Sequence, residues 1–136
     1  MKILFYADSM NKAGERLWKV IERHVPVENI EIYRSIKALS HRLDQPRGNI
    51  IAAVILTSSR EAFLEISSVY ERLQDIRIIL IVPDDEKDTI HRAHRLFPRF
   101  LSYLDADFED VGAVLSNMLK NINSRRCWTH DNRYLS

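Results

Sequence analysis

Polar residues able to do chemistry stand at the ends of apolar runs in this chain. Asp8 follows KILFYA (residues 2–7), and Thr57 closes IIAAVILT (residues 50–57) with Ser58 and Ser59 after it. Asp84 and Asp85 come just after IRIILIV (residues 76–82), and Asp105 follows FLSYL (residues 100–104). Carboxylates gathered at one edge of a sheet could hold a divalent cation. Acids at first helical turns also serve as caps and solvated loop charges, and that ordinary reading is preferred. Ser58 or Ser59, with His91 or His94 and an aspartate, would make a nucleophile, a base and an orienting group, but the strained G-x-S-x-G turn is missing. His91 and His94, three apart, could ligate a metal or switch charge near neutral pH. With no Cys or third His at ligand spacing, they read as surface or half-buried groups.

The elements that would position these residues are strands and helices in alternation. The run at residues 50–57 is apolar until its last position and too short to span a membrane, so it reads as a strand covered on both faces, the middle of a parallel sheet. Residues 2–7, 29–34, 76–82 and 100–104 supply the other strands. Leu17, Val20, Ile21 and Val25 have helical spacing and stop at Pro26, which lacks an amide hydrogen. Ile36, Leu39 and Leu43 mark a short second helix. Ser58 or Ser59 can cap a third, whose stripe runs unbroken through Ala62, Phe63, Ile66, Val69, Tyr70 and Leu73. Ile90, Ala93, Leu96 and Phe97 form a fourth stripe ending at Pro98. Val111, Val114, Leu115, Met118, Leu119 and Ile122 form a fifth, opened by the acids at 105 and 107. Short connections between alternating elements imply right-handed crossovers and a three-layer (βα)5 α/β sandwich, a flavodoxin-like parallel sheet in the order 2-1-3-4-5.

Composition bounds the possibilities. With 136 residues, 46% hydrophobic and 29% charged, the chain is one globular domain with room for a full core. Residues 1–124 form that domain, and residues 125–136 (RRCWTHDNRYLS) are expected as a C-terminal tail. Twenty basic against nineteen acidic side chains leave a net charge of +1, so no global field draws the protein to nucleic acid or anionic lipid. The tail is locally basic, with Arg125, Arg126 and Arg133 against Asp131, and carries Trp128 and Tyr134. It could clasp a partner or nucleic acid, but folding back or disorder is the simpler expectation. The single cysteine, Cys127, cannot form an internal disulfide, and the short apolar N-terminus does not fit a signal peptide, so a cytoplasmic location is expected. Three glycines are too few for a P-loop or a G-x-G-x-x-G. The loop DSMNKAG (residues 8–14) also lacks the hydroxyls and early glycine that wrap the phosphate of FMN.

In order of elements, residues 2–123 resemble the receiver domains of two-component response regulators, the CheY-like fold. The resemblance implies two acidic residues after strand one, a phosphoaccepting aspartate after strand three, a Thr or Ser after strand four and a lysine after strand five. Those places fall on Ala7 and Asp8, Thr57, Val82 and Ala106, of which only Asp8 keeps the expected type. Tyr103 is similar to the aromatic that receivers carry in strand five, and Phe108 to the Phe near their lysine. Phosphoryl transfer to a carboxylate needs Mg²⁺ held by further carboxylates and a cation to balance the growing charge. Thr57 is a poor nucleophile without a base, Ala7 and Ala106 supply neither ligand nor charge, and Val82 has no hydroxyl. The chain therefore reads as a degenerate pseudo-receiver: no enzyme, no metal, no cofactor.

What such a domain retains is surface. The resemblance implies contact through helix four, strand five and helix five, a face with His91, His94, Arg95, Tyr103, Asn117 and Asn121. The expected partner is another protein of a signalling pathway, with a homodimer open by analogy and neither membrane nor nucleic acid favoured. The alternative is a small α/β enzyme or phosphotransfer protein using Asp8, Thr57, Ser58 and Asp84 or Asp85 at the strand ends.

Overall fold

The computed structural model of the chain describes the backbone of residues 2–9, 11–46, 48, 50–73 and 75–132 and, Tyr70 apart, the side chains of those up to Lys120. Five strands, β1 (Lys2–Ala7), β2 (Ile30–Tyr33), β3 (Ile50–Leu56), β4 (Arg77–Val82) and β5 (Phe100–Tyr103), alternate with helices α1 (Lys12–His24), α2 (Ile36–Leu43), α3 (Arg60–Ser68), α4 (Lys87–His94) and α5 (Glu109–Asn132). All four pairings are parallel and the order is β2-β1-β3-β4-β5, as the alternation predicts.

Successive strand residues point to opposite faces, and here both faces are buried, which explains why the central runs carry no polar alternation. Ile3, Phe5, Ala52, Val54, Ile79 and Ile81 pack against α1 and α5 through Leu17, Ile21, Val111 and Leu115. Leu4, Tyr6, Ala53, Ile55 and Leu80 pack on the other face, with Leu39 of α2, Phe63 and Ile66 of α3 and Ala93 of α4. Trp18, half-buried, stacks on Phe5 at 6.1 Å between ring centroids. Helices α1 and α5 approach closely at Gly112, where a Cβ would lie 2.9 Å from both Val20 Cγ1 and His24 Nε2.

Helix starts follow local chemistry. Asn11, Ser35 and Ser59 each accept the amide three residues on with a side-chain oxygen, at 3.0, 3.1 and 3.1 Å. One expectation changes. The third helical stripe is broken: α3 stops at Ser68, and Tyr70–Leu73 is a 3-10 turn. Ser67 and Ser68 donate their hydroxyls back to Phe63 O and Glu65 O at 3.1 and 2.5 Å, competing with the helix ladder. Val69 and Leu73 stay buried all the same. At the far end, the backbone of α5 runs to Asn132. The side chains of Asn121, Cys127 and Trp128 lie outside the described residues. No helix among the described residues is long and apolar enough to cross a membrane.

Candidate functional site

Because every strand is parallel, Asp8, Thr57, Ser58, Asp84, Asp85 and Asp105 come to one edge of the sheet, where ligands bind in folds of this kind. The Asp8, Thr57 and Asp84 side chains bond backbone groups, while Asp85 and Asp105 are exposed. Thr57 is fully buried, and its hydroxyl donates to the carbonyl of Ile81 on β4 at 2.7 Å; the same carbonyl accepts the Thr57 amide at 3.0 Å. The hydroxyl proton is thus committed to the sheet. Asp8, half-buried, accepts the Ser58 amide at 2.8 Å, and Asn11 Nδ2 donates to Ser58 Oγ at 3.4 Å. These bonds stitch the loop after β1 to the loop after β3. Ala7 and Val82 are sealed in the core.

At the end of β5, Ala106 is half-buried and the cation nearby comes from a different element. Arg16 of α1 donates through Nη2 to Leu104 O at 2.9 Å and Ala106 O at 3.2 Å, and its guanidinium lies 5.4 Å from the centroid of the Phe108 ring. Arg16 therefore closes the β5–α5 loop.

The end of β4 is also self-satisfied. Asp84 accepts the Glu86 amide at 3.0 Å. Its carboxyl is held below the ordinary value first by the Thr89 hydroxyl, then by that amide. The Thr89 hydroxyl is buried and makes no hydrogen bond of full geometry among the described residues, so its contact with Asp84 is an incomplete one. Arg60, the first residue of α3, bridges Glu86 at 3.1 Å and Asp88 at 2.5 Å, and Arg92 adds a contact to Asp88 at 3.2 Å. Asp88 is held below the usual carboxylate range by Arg60 first and Arg92 after it. Beside this strap, Pro83, Asp84, Asp85, Tyr103, Leu104 and Asp105 line a cleft of about 440 Å³. On β1, burial, with Asp8 and Glu65 adding to it, pushes the Tyr6 phenol up to about 12, so it stays neutral.

A divalent cation at the Thr57 end of the edge would find one carboxylate, Asp8, already accepting an amide. The donor set does not fit the ion. Among the described residues no three His, Cys, Asp or Glu side chains gather in a way that could hold a metal. On the α4–β5–α5 face His91, His94, Arg95 and Asn117 are exposed, while Tyr103 is half-buried over the α2–α3–α4 side of the core. Arg16 and Arg60 carry no signal in the sequence, since their partners lie on other elements. Arg60 could only have been suspected as the helix residue following the Ser59 cap.

No protein-family model matches the chain, and no curated protein matches it in sequence. Among solved structures it is similar to a response regulator receiver protein from Pseudoalteromonas atlantica, with a TM-score of 0.62 over 93% of this chain and 99% of that one, at 13% identity. The chain has the receiver fold. At that identity the likeness reaches the fold and stops there. At the strand ends the side chains of Ala7, Val82 and Ala106 are apolar, and the Thr57 hydroxyl is bound to the backbone.

Proposed function

We propose that this chain is a non-catalytic, receiver-like signalling domain of the cytoplasm that works by protein contact and without aspartyl phosphorylation. The observation that carries this reading is Thr57. It stands where a receiver's phosphoacceptor would, has no carboxylate, and donates its buried hydroxyl to Ile81 O. Asp8, the one acid kept, is engaged by the Ser58 amide. The contact surface of this reading is the α4–β5–α5 face, with His91, His94, Arg95, Tyr103, Asn117 and Asn121, and its partner is another signalling protein or a second copy.

Incubation with acetyl phosphate and Mg²⁺ followed by intact-mass measurement tests the proposal. No mass gain is expected. A gain of one phosphoryl group that disappears in Asp8→Asn or Thr57→Val would overturn the reading in favour of a phosphotransfer protein.

A further inference from the structure

The end of α4 holds an aromatic residue in backbone strain that the burial of its own ring does not offset. After His94 the backbone tightens: Arg95 N donates to Arg92 O at 3.2 Å, Leu96 N to Ala93 O at 3.0 Å and Phe97 N to His94 O at 3.1 Å. Phe97 then takes a φ of 51°. Glycine or asparagine ordinarily fills this left-handed position at a helix end, because a Cβ crowds the next carbonyl. Pro98 adds to the strain by disfavouring helical backbone in the residue before it. The Phe97 ring offsets none of this by burial, being 78% exposed, more than any other large apolar side chain among the described residues.

The fixed charges next to it along the chain are of one sign. No Asp or Glu occurs between residues 89 and 104, and Arg95 and Arg99 are exposed. Arg92 is paired with Asp88, but Arg95 and Arg99 have no salt bridge among the described residues. A strained, preset aromatic between two unpaired arginines matches the composition of interface hot spots.

We propose that the α4–β5 turn, with Phe97 as the inserted ring and Arg95 and Arg99 as flanking charges, docks an acidic amphipathic segment of a partner protein. This rests on the reading that the domain works by contact, and it gives that contact a chemistry. A protein segment is favoured over nucleic acid because a polyanion is gripped by a track of many cations. Here two permanent charges flank one ring, on a body of net charge +1.

The experiment is a fluorescence-anisotropy titration of the full chain, without phosphodonor, against three labelled probes. These are a helical peptide of Glu with Leu on one face, the same peptide with Lys for Glu, and oligothymidylate. The Glu/Leu peptide is expected to bind saturably and better than the Lys/Leu peptide. Phe97→Gly and the double variant R95E/R99E should each weaken it by about tenfold or more, the loss of a central anchor. Phe97→Gly should melt no lower than the wild type, so that its loss of binding is not loss of fold. No saturable binding, unchanged affinity in both variants, or tighter Phe97-dependent binding of oligothymidylate would each overturn the proposal. Phosphoryl uptake at Asp8 would defeat the preceding reading while leaving this titration unaffected, so the two can fail separately.

Discussion

Two phenylalanines flank β5, and both have positive φ: Phe97 at 51° before the strand and Phe108 at 66° after it. A non-glycine residue in that region carries a strain of about 1–2 kcal/mol. Phe108 is 1% exposed and packs with Val111 and Leu115 against the α1–α5 face of the sheet, under the Arg16 guanidinium. Full burial of such a ring contributes about 1.5–3 kcal/mol, enough to offset the strain. Phe97 has the same backbone cost and almost no burial. Strain balanced within the fold marks a structural residue. Strain that the residue's own burial does not offset directs attention to what lies outside the chain.

The largest expected effect comes from breaking the buried member. Phe108→Ala should cost about 3–5 kcal/mol in urea denaturation, and a loss under about 1 kcal/mol would remove the contrast. Arg16→Ala should cost about 1 kcal/mol, because it frees two carbonyls that water can reach and removes a cation from an aromatic face. Phe97→Gly should change stability in the opposite direction, by roughly 0.5–1 kcal/mol, the strain relieved less the extra freedom glycine gives the unfolded chain. A destabilised Phe97→Gly would mean that the exposed ring has a structural role after all.

A smaller effect separates satisfied from unsatisfied charge by pH. Glu31 on β2 is mostly buried, which by itself would raise its pKa. Hydrogen bonds from Arg42 and Tyr33, both at 2.8 Å, outweigh this and lower it below 4.5. A lowered folded value means the carboxylate contributes stability above the ordinary Glu range and loses it as pH falls through the folded value. The urea midpoint of the wild type should therefore drop more between neutral and acid pH than that of Glu31→Gln. The free cations at Arg95 and Arg99 contribute nothing comparable, and R95E/R99E should unfold near the wild-type midpoint.

Much of the fold was legible because its signals are local. Strands buried on both faces read as unbroken apolar runs, so β3 and β4 stand out; β2, at the edge, alternates. Ser59 precedes α3 as a good cap, and Pro26 closes α1, whereas the Asn11 and Ser35 caps came only from the structure. The end of α3 was misread because Val69 and Leu73 keep helical spacing while Ser67 and Ser68 divert the backbone through hydroxyl bonds that spacing does not report. At the strand ends, the sequence shows that Thr57 brings a hydroxyl and no carboxylate. What its hydroxyl does instead depends on Ile81, a residue on another strand.

By itself the sequence determined the element types, their alternation and hence the winding of the sheet, because periodicity and covalent chemistry act over a few neighbouring residues. Only the tertiary structure decided that the polar groups at the strand ends bind one another: Asp8 meets Ser58, Thr57 meets Ile81, and Arg16 reaches the loop after β5. Those partners are set by strand register and helix packing between residues 24 to 90 positions apart, distances over which sequence pattern carries no geometric information.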